Sequence, residues 1–144
     1  MFVDNAFWGR TQYFLERGLD VAQMRHKVFA DNLANVDVPH FKRSEVSFEA
    51  EMRRVVELEK HVEENSIPTR LTDEKHIPFF RARDYREVQP KTHIDYLSSM
   101  RNDGNNVDPE HEVAEQTKNM LTYQMMTTLI NHNFRSMNIV NRVA

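Results

Sequence analysis

Near the start of the chain, apolar residues return in pairs every seven positions: Phe7/Trp8, Phe14/Leu15, Val21/Ala22 and Val28/Phe29. Leu19 and Leu33 fill the intervening turns. That spacing predicts one long helix over 4–35 with a broad apolar stripe. Asp4 or Asn5 can cap it. Gly18 weakens its interior by about 1 kcal/mol, and His26 lies near the stripe. Asp31, Asn32 and Asn35 signal the end. Pro39 confirms it, because Val38 before a proline is pushed out of helical geometry.

A second helix is predicted over 47–64, with Ser47 as cap and Glu49 and Glu51 in the first turn. Phe48, Met52, Val55, Val56 and Val62 give it a thin apolar face. Beyond it, 65–107 reads as irregular or β. Pro68, Pro78 and Pro90 interrupt the pattern, leaving short apolar pieces at Ile67, Leu71, 77–80, 85–88 and 94–97. The last two pieces, separated by 89–93, can pair as a short hairpin, or the stretch can wait for a partner to order it. A tight turn follows at 102–106, around Gly104.

Asp108 then caps a last helix over 108–142, with Pro109 in its first position and Glu110 and Glu112 in its first turn. Its seam alternates three and four: Val113, Gln116, Met120, Tyr123, Thr127, Ile130, Phe134, Met137, Asn141. That is heptad spacing. The fold class implied is mainly α. Terminal helices over 1–36 and 108–142 pair as a coiled coil or bundle, and 37–107 forms a middle segment.

Length turns this pattern into an argument about assembly. A helix of about 30 residues is roughly 45 Å long, whereas a compact chain of 144 residues spans only about 40 Å. The polar middle cannot cover two such helices, and Phe7, Trp8, Phe14, Met125, Met126, Leu129 and Val140 overflow a two-helix seam. Surplus apolar surface marks a contact with other subunits; the plainer alternative is a small bundle whose own third helix covers the excess. On the assembly reading, the seam residues Phe7, Phe14, Val21, Val28, Met120, Tyr123, Ile130, Phe134 and Met137 are the candidate contacts.

Composition narrows the functions. Hydrophobic residues are 40% of the chain and charged residues 28%, with a net charge of -3 and a mean hydropathy of -0.69. That balance gives no reason to expect nucleic acid as a partner. The basic pieces Lys42-Arg43, Arg53-Arg54 and Arg81-Ala82-Arg83 are short and offset by nearby acids. The 3 glycines argue against an all-β architecture, and the absence of Cys excludes disulfides and thiolate metal sites. No apolar run approaches a membrane span of about 20 residues. Residues 1–10 lack the form of a secretory signal, so the chain is expected in the cytoplasm or exported without a cleaved signal.

Candidate chemistry is thin. His111-Glu112-Val113-Ala114-Glu115 nearly matches the zinc-binding H-E-x-x-H helix, but the second ligand is Glu and the acids suit a capped first turn. Residues 103–108 fail as a calcium loop, because Val107 sits where an oxygen ligand belongs and Ala114 at the twelfth position. The seven His are scattered. Nucleotide-binding and hydrolase motifs are absent. Met120, Met125, Met126 and Met137 suit adaptable packing. Neither an enzyme nor a cofactor is expected.

Two segments then resemble the flagellar basal-body rod family. At 31–42, Asn32, Ala34, Asn35, Pro39 and Lys42 match its pattern N-x-A-N-x-x-T-P-G-Y-K, with Val38, His40 and Phe41 standing where Thr, Gly and Tyr are usual. At 103–108, Asp-Gly-Asn-Asn-Val-Asp leads into the C-terminal helix as in the family's proximal-rod members, and 69–77 is similar to their central region. The resemblance implies a structural subunit of the rod. It adds Asn32, Asn35, Pro39 and Phe41 to the candidate assembly residues. It also implies self-association and contacts with other rod subunits, the rod-to-ring junction protein and the membrane-embedded ring. Export would proceed through the flagellar type III apparatus, and the role would be to transmit torque and line the export channel. The competing readings are a soluble helical adaptor or export chaperone, and a metal-dependent enzyme using His111 and Glu115.

Overall fold

The computed structural model describes residues 5–65, 72–73, 75–76 and 83–143, the side chains of 5–8, 65 and 143 excepted. Asp4, the apolar pieces at 67, 71 and 77–80, Pro68, Pro78 and most of 69–77 fall outside it, as do the side chains of Phe7 and Trp8. Three helices dominate: α1, Asn5–Ala34; α2, Glu49–Asn65; and α3, Pro109–Val143. Two short strands, β1, Ser44–Ser47, and β2, Lys91–Ile94, pair as an antiparallel ribbon. The chain divides into two units, one of Met1–Val46 with Thr92–Ala144 and one of Ser47–Lys91.

In the first unit α1 and α3 pack side by side. At 30 and 35 residues they run roughly 45 and 52 Å at about 1.5 Å per residue. Val21 and Ala22 are buried on α1. Asn119 donates to the Ala22 carbonyl at 2.8 Å, Gln116 meets His26 at 3.5 Å, and a Cβ placed on Gly18 would stand 2.6 Å from Met126 Sδ. Gly18 therefore admits a close approach by a long side chain, which offsets the helix propensity it forgoes. The partners run in opposite order along the two helices, so the pair is antiparallel.

The start of α3 follows the expected cap. The Asp108 carboxylate accepts from the amides of Glu110 at 3.0 Å and His111 at 3.5 Å, pairing amides that the first helical turn leaves open. The expected seam meets α1 only in part: Gln116 faces His26, and Thr127 and Ile130 are half-buried. The line packed on α1 carries Glu112, Gln116, Asn119 and Met126. Met120, Tyr123, Phe134 and Met137 lie exposed, Met120 at 57% and Phe134 at 50%. The physical reason is that from Met120 onward apolar residues spread well beyond one stripe of α3, leaving only a narrow polar line of Gln124, Thr128, Asn131, Arg135 and Arg142. At about 100° per residue, Met120, Leu121, Tyr123, Met125 and Leu129 spread over most of the circumference. No single stripe exists to choose the inner face, and polar pairings choose it instead.

In the second unit, Phe48, Met52, Val55 and Val88 are buried. Ser47 is not the cap of α2: it belongs to β1, and the Phe48 carbonyl accepts the first helical bond, from the Met52 amide at 3.0 Å. The expected pairing of 85–88 with 94–97 is also replaced. Tyr85–Glu87 form a short 3-10 turn capped by Asp84, and the strand partner of β2 is β1, more than forty residues earlier. Local alternation cannot reveal so distant a partner.

Candidate functional site at the joint of the terminal helices

Where α1 ends and α3 begins, the first unit holds a network of polar side chains from stretches far apart in sequence. Asn32, in the last turn of α1, is fully buried. Its carboxamide clasps the backbone of Ser44, accepting from the amide at 3.0 Å and donating to the carbonyl at 2.9 Å. The same amide nitrogen donates to Glu112 Oε2 at 3.0 Å. Glu112 is 1% exposed. Its other oxygen accepts from Arg43 Nε at 2.5 Å. A buried carboxylate is tolerable only when paired and hydrogen-bonded, and here both oxygens are engaged.

Two buried asparagines continue the network. Asn105 Nδ2 reaches the carbonyls of Asn35, Val36 and Val38 at 3.2, 3.0 and 2.9 Å, holding the chain as it leaves α1. Its Oδ1 accepts from the Val107 amide at 2.7 Å. Asn106 accepts from the Arg43 amide at 2.6 Å and donates to Asp95 O and Ser98 Oγ at 2.9 and 3.0 Å. Lys42 Nζ bridges the carbonyls of Ser98 and Gly104, both at 2.9 Å. Arg101 donates to the Val36 carbonyl at 2.8 Å and pairs with Asp37 at 3.2 Å. Among the described residues no buried side-chain nitrogen or oxygen lacks a partner. At the surface, the Ser98 hydroxyl and the Ser98 and Leu97 amides bond the Asp95 carboxyl and hold its pKa below the usual carboxylate range.

Backbone strain sits at two touching residues. Among the described residues, His40 is the non-glycine residue with positive φ, at 60°, and Gly104 has φ of 79°. The His40 amide donates to the Asp103 carbonyl at 3.1 Å. A Cβ on Gly104 would meet His40 Nδ1 at 2.8 Å. His40 thus adopts the left-handed conformation that glycine takes easily, at the position where the family pattern has Gly.

The candidate residues fall into three groups. Asn32, Asn35, Pro39 and Phe41 come together at this joint. Asn35 caps α1 by donating to the Asp31 carbonyl at 2.7 Å, Pro39 is exposed, and Phe41 is half-buried. Val21 is buried and Val28 half-buried along α1, while Phe14 lies near its N-terminal end with Arg10 over its ring at 5.7 Å. Met120, Tyr123, Ile130, Phe134 and Met137 spread along α3, Ile130 the least exposed of them. Sequence reading missed Glu112 and Arg43 as a buried pair, and Asn105 and Asn106 as more than turn residues. The only available signal was the heptad line 112, 119, 126; an acid in a first turn otherwise reads as a dipole partner.

The arrangement is a closed polar network that joins the end of α1 to the start of α3. Its donors and acceptors are spent on one another. Among the described residues no three His, Cys, Asp or Glu stand together so as to hold a metal ion. His111 is exposed and Glu115 pairs with Lys118 at 3.2 Å. Among the described residues no helix is long and apolar enough to cross a membrane.

No family model matches the chain. Curated proteins do. The chain is 41% identical over 124 residues to the flagellar basal body rod protein FlgB of Borrelia hermsii, covering 86% of this chain and 90% of that one. It is 39% identical over 131 residues to the FlgB of Borreliella burgdorferi, covering 91% and 95%. The FlgB of Aquifex aeolicus is 35% identical over 119 residues, covering 83% and 80%.

Proposed function

The chain belongs to the family of flagellar basal body rod proteins FlgB, and from that premise we propose that α1 and α3 assemble it into the proximal rod as a rigid helical pair. It is a structural subunit of the flagellar basal body, assembling with other rod components. One observation carries the proposal: from Met120 onward α3 exposes Met120, Leu121, Tyr123, Met125, Leu129, Phe134, Ile139 and Val140 over most of its circumference. So much exposed apolar surface on one helix calls for partners that cover it, and the assembled rod supplies them. The joint fixes how the pair leaves the rest of the first unit. Stiff helices so anchored would transmit torque and, packed around the axis, line the export channel. The neighbours would include copies of this chain, other rod subunits, the rod-to-ring junction protein and the membrane-embedded ring. Delivery would be by the flagellar type III apparatus without signal cleavage, into the periplasm-spanning rod.

Phe134→Asp tests this. Phe134 is half exposed, so the variant chain should keep its helix content and its stability within about 0.5 kcal/mol, while rod assembly and swimming are lost. Normal swimming in this variant would overturn the proposal. An export chaperone would instead form a soluble dimer or heterodimer with no polymer, which light scattering separates.

A further inference from the structure

Packing along α1 and α3 does not by itself choose their register. Apolar pairs recur every seven residues on α1, and α3 carries heptad spacing through a region apolar over most of its circumference. Sliding one helix past the other by seven residues therefore matches apolar surface to apolar surface again. The connection between the helices is long and leaves such a slip open. We infer that the buried polar residues of the joint, Asn32, Arg43, Asn105 and Glu112, are a register lock that selects one antiparallel pairing of α1 and α3.

The geometry carries this. Glu112 is buried with both carboxylate oxygens engaged, one by α1 through Asn32 and one by Arg43. A slip of one heptad carries Glu112 about 10 Å along α1, at about 1.5 Å per residue. It would leave a buried carboxylate without Asn32 and Asn32 without its acceptor. Asn105 adds a second anchor three residues before the α3 cap, tying the entry of α3 to the carbonyls of Asn35, Val36 and Val38. Polar groups that can be satisfied in one pairing only penalise every other, and a single buried polar position is known to set register in paired helices. Asn119 and Gln116 lie further along the same contact line, bonded to Ala22 O and facing His26. They are closer to solvent and discriminate less. The lock is a property of the single chain and holds whether or not the assembly proposal does.

The chain has no native cysteine, so paired cysteines report register directly. The pair Gly18→Cys/Met126→Cys reads the observed pairing. Thr11→Cys/Met126→Cys and Gly18→Cys/Asn133→Cys read slips of one heptad in the two directions. The full-length purified chain is oxidised under dilute conditions and the intramolecular disulfide is quantified. In the otherwise unchanged chain, and in Glu112→Gln, which can still bond Asn32, the observed pair should dominate. In Glu112→Leu/Arg43→Met/Asn105→Ala, which replaces the charge pair by apolar groups and removes the second anchor, cross-linking at the slipped pairs should rise by about tenfold while helix content is kept. Cross-linking confined to the observed pair in the triple variant would overturn the inference. So would loss of its helix content, because the joint would then be general support and not a selector among pairings.

Discussion

His40 and Gly104 meet with their backbones both in the left-handed region. A non-glycine residue there costs about 1–2 kcal/mol, and a glycine in its place loses more freedom on folding, by under about 1 kcal/mol. His40→Gly should therefore leave stability unchanged or raise it by up to about 1.5 kcal/mol, the relieved backbone cost exceeding the lost freedom. Gly104→Ala should destabilise by about 2 kcal/mol, from its φ and from the His40 ring 2.8 Å from the new methyl. In the His40→Gly background that cost should fall by at least about 0.5 kcal/mol, since the ring is gone. Urea titration of the four chains, followed by helical circular dichroism, measures the coupling. Independent effects would mean that the ring gives way without cost. At this scale the sequence was partly legible. Pro39 and Gly104 announced turns, but no local signal marks a histidine as left-handed. That conformation is imposed by the bond from its amide to Asp103 and by the carbonyls that Asn105 gathers before it.

The helices show where periodicity works and where it fails as an instruction. The existence and ends of α1 and α3 follow from apolar spacing, from Asp108 as a cap and from Asn35 and Pro39 as a stop. Asp108→Ala should cost about 1 kcal/mol in unfolding free energy, because it frees the amides of Glu110 and His111. Asp108→Asn, which can still accept, should recover most of it in the same urea titration. Which side of α3 faces α1 was not legible. With apolar residues over most of α3 from Met120 onward, the inner side is set by Glu112, Gln116, Asn119 and the space over Gly18. The short strands failed differently, since β1 and β2 are paired by a return of the chain that no window of neighbouring residues contains.

As a whole, the first unit places its best-satisfied interactions at the joint and its apolar surface along the free length of α3. A molecule built to stand alone does the reverse, covering apolar surface and leaving polar groups to water. Arg135 and Arg142 are exposed on the last turns of α3. Trypsin should cleave there in the purified chain and spare both sites once the chain is part of an assembled rod, with mass spectrometry identifying the fragments. Equal cleavage in both states would place the end of α3 on the outside of the rod, against the proposed packing. The charge balance, net -3, fits an assembly held by shape and apolar burial more than by fields of one sign.

By itself the sequence determined the long helices, their caps, the surplus of apolar surface and the motifs at the two ends of the middle segment, because these depend on residues within a few turns of one another. The tertiary structure alone decided the rest: that Asn32 and Glu112, eighty positions apart, share a buried bond, that Arg43 completes it, and that β1 rather than a local hairpin partners β2. The reason is physical. Local order is written in neighbouring side chains, whereas a buried polar network exists only once distant segments have met and excluded water, and that meeting chooses the inner face of a helix whose apolar surface is too broad to choose it.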